Sequence, residues 1–277
     1  MKFTKMQGLG NDYIYIDCFE EAISDPVDLA IRMSRPHFGV GADGLVLIEP
    51  SDHADFSMRI FNADGSEAEM CGNASRCVAK YVLDRGLTDK TELTLATKGG
   101  IRRLWPMQDE GVVTRVKVDM GTPEFNPQLV GVDLPGDIVF RHRIQVLGQE
   151  MLFTAVSFGN PHCVIFVDDP DLIDIKTVGP IIENHPLFIN RTNVEFVRIL
   201  RRDYLYMRVW ERGSGETLAC GTGACAALVA AVLSGLSDRT VQVRLAGGHL
   251  ELMWNPQDNI VYKSGPAEYV FDGVWLG

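Results

Sequence analysis

Two Cys-Gly pairs, Cys71-Gly72 and Cys220-Gly221, stand 149 residues apart, and the sequence around them repeats at the same offset. The offset carries Gly10-Asn11 onto Gly159-Asn160, Met58-Arg59 onto Met207-Arg208, Glu67 onto Glu216, and Gly86-Leu87 onto Gly235-Leu236. Residues 58–87 and 207–236 share seven identities in thirty gapless positions. Background usage gives about two. A constant offset over such a span indicates two copies of one structural unit. Each copy offers a reactive residue, cysteine, in the same place. Two such units related by a pseudo-two-fold axis would bring one thiol to each side of whatever lies between them. Few reactions need that arrangement. Inverting a stereocentre does, because one group removes a proton from one face while another delivers one to the opposite face.

At 277 residues the chain is long for one compact unit. Two domains of roughly 130 residues agree with the repeat. A hydrophobic content of 46% supplies two cores. The net charge of −11 argues against nucleic acid or an anionic membrane as partner. No apolar leader with a cleavage site follows Met1-Lys2-Phe3. Thr217 to Ser237 carries no charge, but its solid apolar run, Ala224 to Leu233, is shorter than the roughly 20 residues of a membrane span. A buried helix is expected there. Six cysteines without a dense framework suit a reducing cytoplasm.

Each half reads alike. Strand patterns run over Tyr13 to Ile16 and Cys163 to Val167, then over Ser57 to Phe61 and Tyr206 to Trp210. A polar loop follows, and Cys-Gly opens a helix reaching Leu83 in one copy and Leu233 in the other. Gly86 and Gly235 lie just beyond, where a helix end favours a residue free to adopt positive φ. Glu92 to Leu95, Ile101 to Trp105, Val241 to Leu245 and Leu250 to Trp254 read as further strands. The expected fold is α+β: two pseudo-symmetric domains, each a curved strand-rich sheet around one principal central helix. The turn-rich Gly121 to Pro127 and Pro135-Gly136 mark the boundary region.

Free cysteine is among the most buried residue types, and Cys18, Cys77, Cys163 and Cys225 are expected in cores. Cys71 and Cys220 differ. Each sits where a loop enters a helix, with unsatisfied N–H groups and the positive end of the helix dipole beside it. That setting is expected to lower the thiol pKa. The N–H groups of Gly72, Asn73, Gly221 and Thr222 could grip a carboxylate, which would help an adjacent carbon to lose its proton. No lysine sits in a pyridoxal-phosphate setting and no Gly-rich dinucleotide fingerprint appears, so no cofactor is expected. Cys71-x5-Cys77 and Cys220-x4-Cys225 are not zinc or thiol–disulfide spacings, so no metal is expected either. Asn11 and Asn160 share the offset and are candidate ligand contacts. Asn62 aligns with Glu211, and Asn193 with Gly44. Glu211-Arg212 offers both signs of charge to a zwitterion, and an arginine can clamp a carboxylate through two parallel hydrogen bonds. His162 has no counterpart in the first half and reads either as a core histidine or as part of the site.

Together these residues resemble the diaminopimelate epimerases, cofactor-independent amino-acid epimerases of lysine and peptidoglycan precursor synthesis. The matching motifs are Lys5-Met6-Gln7-Gly8-Leu9-Gly10-Asn11-Asp12, Phe61-Asn62-Ala63-Asp64-Gly65-Ser66 running into Met70-Cys71-Gly72-Asn73, Gly159-Asn160-Pro161-His162, Asn193-Val194-Glu195-Phe196, and Glu211-Arg212-Gly213-Ser214-Gly215-Glu216-Thr217 running into Ala219-Cys220-Gly221-Thr222-Gly223. They cover nearly the whole chain in order and spacing.

The resemblance implies conversion of LL-2,6-diaminopimelate to the meso isomer, with Cys71 and Cys220 as the acid–base pair. Gly72, Asn73, Gly221 and Thr222 would bind the reacting carboxylate. Glu211 and Arg212 would hold the nearby amino group, with Arg212 also reaching the distal end. Asn62, Asn160 and Asn193 would read the distal amino-acid end, Asn11 would line the site, and His162 and Glu211 would tune the cysteines. It implies domains over 1–120 plus 265–277 and over 121–264, with the site in the cleft between them. A homodimer acting on a small-molecule amino acid in the cytoplasm is expected, without nucleic acid or membrane. Two positions depart from the pattern: Gly44 stands where many members carry a substrate-contacting Gln, and Ala74 where many carry Gly. Proline racemase is the nearest competitor, against which Asn73 and Glu211-Arg212 argue. A non-catalytic amino-acid-binding protein on the same scaffold would not require both thiols.

Overall fold

A computed structural model describes residues 1–19 and 21–277, and they fall into two compact units: Met1–Asp119 with Ser264–Gly277, and Met120–Lys263. In chain order the first unit contains β1 (Lys2–Gly8), β2 (Asn11–Asp17), α1 (Pro26–Ser34), β3 (Gly44–Glu49), β4 (Phe56–Asn62), β5 (Glu67–Ala68), α2 (Gly72–Asp84), β6 (Leu93–Thr97), β7 (Gly100–Asp109) and β8 (Val112–Asp119). The second contains α3 (Pro127–Val130), β9 (His142–Val146), β10 (Gln149–Ser157), β11 (Pro161–Phe166), α4 (Ile175–Glu183), β12 (Asn193–Arg201), β13 (Tyr204–Glu211), β14 (Gly215–Glu216), α5 (Gly221–Leu233), β15 (Thr240–Leu245) and β16 (Gly248–Trp254). The division falls within β17 (Val261–Pro266), and β18 (Glu268–Val274) pairs antiparallel with β1 in the first unit.

The 149-residue offset is an architectural rule. It maps α2 onto α5 and α1 onto α4 without a residue of slippage. Within each unit the registers repeat: β2 runs parallel to β3 with Tyr13 beside Gly44, and β11 runs parallel to β12 with His162 beside Asn193. β3 then pairs antiparallel with β4, and β12 with β13.

Six of the seven shared identities have a visible use in the fold. Met58 and Met207 are buried on equivalent strands. Arg59 Nε donates to Glu67 Oε1 at 2.8 Å, and Arg208 Nε to Glu216 Oε1 at 2.9 Å. An exposed ion pair adds at most about 1 kcal/mol; here it ties the turn that precedes each cysteine. Cys71 and Cys220 are the N-cap residues of α2 and α5. Gly86 and Gly235 adopt φ of 74° and 69°. Beyond them Leu87 N–H donates to Val82 O and Leu236 N–H to Ala231 O, each at 2.9 Å, closing both helices with the same left-handed cap.

The two central helices are buried by different means. Every residue of α5 from Gly223 to Ala231 is buried, and each fully buried Val or Leu contributes about 2 kcal/mol. Helix α2 instead buries Arg76 and Lys80. Arg76 donates to Pro266 O, Gly72 O and Asn73 Oδ1, and Lys80 to Asp84 and Val113 O. Such groups are tolerated in a core because they are bonded there. Among the described residues no helix is long and apolar enough to cross a membrane.

Helices α1 and α4, nine residues each, add a shorter helix to each unit beside the principal 13-residue one. Helix α4 contains Gly179-Pro180, which masks its pattern. Gly179 is there because a Cβ would lie 2.5 Å from the Trp210 ring. Helix α1 buries only Ala30, Met33 and Ser34, packing against Phe3, Ile14, Ile16, Leu45, Leu47 and Phe61. In the second unit Phe153, Phe188 and Phe196 anchor a separate core, with the first two rings edge-on at 5.5 Å. Gly44 can carry no side chain on this backbone, because a Cβ would sit 2.1 Å from the Phe61 carbonyl oxygen.

Candidate active site

Each unit gathers its candidate residues at one end of its sheet and at the start of its central helix. In the first unit Asn11 opens β2, Gly44 opens β3 and Asn62 closes β4. Cys71 Sγ lies 3.4 Å from Asn11 Oδ1, and Asn73 Nδ2 donates to the same oxygen at 3.3 Å. Asn11 is held by its other end, Nδ2 donating to Asp43 Oδ2 at 2.7 Å. Burial pushes the Asp43 carboxyl up, against the hydrogen bonds from Asn11 and the Asp12 N–H. Asn62 Nδ2 donates to Ser66 Oγ in the turn before the cysteine. The structure thus brings Asn11, Cys71 and Asn73 together, with Gly72 in the first helical turn between them.

In the second unit Asn160 precedes β11, Asn193 opens β12 and Glu211 closes β13. Gly223 N–H donates to Cys220 Sγ at 3.4 Å, and Thr222 Oγ1 lies 3.6 Å from the sulfur. Asn160 Nδ2 donates to Thr222 Oγ1 at 3.3 Å, and its Oδ1 meets His162 Nε2 at 3.1 Å. His162 is fully buried, and its Nδ1 lies 2.6 Å from Glu195 Oε1. Thr217 Oγ1 donates to Glu211 Oε1. Asn193 is bonded at both ends of its amide, Nδ2 to Pro161 O and Oδ1 from Arg212 N–H, so it also shapes the turn that presents Arg212. Arg212 Nη1 donates to Asn190 O. Gly221 and Thr222 form the first turn of α5.

Two expectations are corrected. The Cys220 thiol lies well above its usual range, not below. Burial is the largest cause, followed by the charge of Glu211, and the donors Thr222 and Gly223 only partly offset them. The helix terminus is outweighed, and the balance favours the thiol, the form that delivers a proton. Cys18 is half-buried against the first core rather than enclosed by it. Burial leads the upward shift of Cys77 to about 11 and of Cys225 to about 12. Cys71 and Cys220 stand apart by position, at helix starts beside polar ligand groups.

Glu195, Asp43 and Thr217 are neighbours of the site that the sequence reading does not single out. Glu195 has a signal: it is a charge inside the apolar strand segment Val194 to Val197, and it is fully buried. Ligating atoms of His162, Glu195 and Cys220 lie within 4.8 Å of one another. Tetrahedral zinc holds its ligands about 3.3 Å apart, and the 2.6 Å contact between His162 and Glu195 is a hydrogen bond instead.

The fold is shared by a wider class of proteins of low sequence identity to this chain. A hydroxyproline epimerase from Agrobacterium vitis superposes with a TM-score of 0.72 at 15% identity, over 99% of this chain and 91% of its own. A phenazine biosynthesis PhzF-family protein from Bacillus anthracis superposes with a TM-score of 0.71 at 17% identity, over 99% and 98%. Sequence narrows the class. The diaminopimelate epimerase family model matches residues 3–126 and 154–270. The diaminopimelate epimerase of Acetivibrio thermocellus is 53% identical over 273 residues, 99% of this chain and 98% of its own. That of Phocaeicola vulgatus is 56% identical over 274 residues, 99% and 97%. The chain belongs to the diaminopimelate epimerase family.

Proposed function

We propose that this protein is an isomerase that epimerises LL-2,6-diaminopimelate to the meso isomer, with Cys71 and Cys220 as its two acid–base groups. The observation that carries the reading is the duplicated Cys-Gly start of α2 and α5, in a family whose members bear that activity in their names. One cysteine, as thiolate, takes the α-proton. The electron pair left on the carbon is spread onto the adjacent carboxylate. The other cysteine, as thiol, delivers a proton to the opposite face, so one proton leaves and one arrives. The first-turn N–H groups of Gly72, Asn73, Gly221 and Thr222 are suited to hold that carboxylate while its charge grows. Cys220, whose thiol form is favoured by burial and by the charge of Glu211, starts as the donor. Catalysis in the reverse direction exchanges the two roles.

The reading assigns all the chemistry to side chains and backbone, without pyridoxal phosphate. Purified protein, dialysed and treated with hydroxylamine to remove any bound aldehyde cofactor, should convert LL-diaminopimelate to a mixture of LL and meso isomers at an undiminished rate. Chiral chromatography reads the product. Loss of turnover after hydroxylamine would replace the two-thiol reading with a cofactor-based one.

A further inference from the structure

Glu195 has no part in the two-thiol reaction as derived above, yet its carboxyl is fully buried. His162 on β11, Glu211 on β13 and Cys220 at the N-cap of α5 lie around it. A Cβ at Gly223 would lie 2.6 Å from its Oε1 and 3.2 Å from Cys220 Sγ, so only a glycine lets the carboxyl and the sulfur come this close.

The hydrogens around His162 have a definite order. Asn160 Oδ1 can only accept, so His162 Nε2, 3.1 Å away, carries a hydrogen. The Asn160 amide nitrogen then donates to Thr222 Oγ1. With its oxygen so engaged, the Thr222 hydroxyl can turn its hydrogen to Cys220 Sγ, and once the thiol ionises it is the only donor of the two. On the other side of the ring one hydrogen lies between Nδ1 and Glu195 Oε1. Wherever it sits, the imidazole and the carboxyl together carry no net charge. Glu195 Oε2 is buried without a hydrogen-bond partner, which suits a carboxyl that shares a proton better than a bare carboxylate. Burial also pushes the Glu195 carboxyl up.

We infer that Glu195 is a positioning residue: through His162 and Asn160 it sets the direction of a hydrogen-bond chain that ends on the sulfur of Cys220 and stabilises its thiolate. Without the shared proton, Nδ1–H would serve Glu195, Nε2 would be bare, and Asn160 would have to turn its amide nitrogen to the ring. Its oxygen would then face Thr222 and draw the hydroxyl away from the sulfur. The inference concerns a thiol that the proposed function uses, but it is read without turnover, so the two can fail separately.

The test is the rate at which iodoacetamide modifies Cys220 at fixed, mildly alkaline pH, followed by peptide mass and divided by the rate for Cys71. Glu195→Gln keeps the shape but cannot share the proton. It should slow Cys220 about fivefold, the worth of one hydrogen bond. Thr222→Val should slow it by a similar factor, with no further loss in the double variant. If Glu195 acted as a bare negative charge, Glu195→Gln would instead speed Cys220, because the repulsion would be gone. A faster or unchanged rate in Glu195→Gln, or an unchanged rate in Thr222→Val, overturns the inference. Nitrogen NMR of histidine-labelled unsubstituted protein decides independently of any variant: hydrogen on Nε2 of His162 is required, and a bare Nε2 contradicts it.

Discussion

Replacing Cys71 or Cys220 by alanine is expected to abolish epimerisation, lowering kcat/KM about a thousandfold or more. The reaction needs a base on one face of the carbon and an acid on the other, and each variant keeps only one. Alanine fits both positions. At Cys71 the helix does not depend on the sulfur, which makes no cap hydrogen bond. At Cys220 the sulfur accepts one bond from Gly223 N–H, so a small loss of stability, of about 1 kcal/mol, is expected. Thermal melting separates that loss from the loss of chemistry. Serine should rescue little, since a hydroxyl is a far weaker acid at these pH values. Near-normal turnover in either alanine variant would contradict the assignment.

The second large effect concerns the substrate. Diaminopimelate carries an amino-acid head group at each end. Asn62, Asn160 and Arg212 are the residues we expect to read the distal one, with Asn193 holding Arg212 in its turn. A site built to hydrogen-bond polar groups rejects a ligand that lacks them by a factor on the order of 10⁴, because its own groups are left unpaired. Lysine lacks the distal carboxylate and proline lacks the distal group altogether. Turnover of either should fall below that of diaminopimelate by roughly that factor. Proline racemisation at a comparable rate would move the chain's activity towards that of its more distant structural relatives.

Much of the architecture is legible in the sequence because a repeat constrains two halves at once. The offset that joins Cys71 to Cys220 also joins both helix caps and both turn-fixing ion pairs, so local signals too weak alone reinforce each other. Helices α1 and α4 escape because their patterns are short and, in α4, interrupted by Gly179-Pro180 for the sake of Trp210. The positions of Asn11 and Asn160 beside their cysteine loops follow the repeat. The state of Cys220 does not. A helix start argues for a low thiol pKa, whereas burial, with the charge of Glu211 behind it, outweighs that effect. Glu195, which the sequence reading does not single out, comes beside Cys220 only when β12 is laid beside the start of α5.

The most direct test of the two-thiol account is the fate of the α-hydrogen when LL-diaminopimelate is turned over in deuterated water. NMR would follow the inverted carbon during the first few per cent of conversion. If separate groups remove and deliver the proton, the delivering thiol carries solvent deuterium. The meso product should then be deuterated at that carbon from the first turnovers, while the remaining LL substrate stays largely protiated. A single group serving both faces would hand the substrate's own hydrogen to the product. Early meso product that keeps its α-protium would therefore contradict the account.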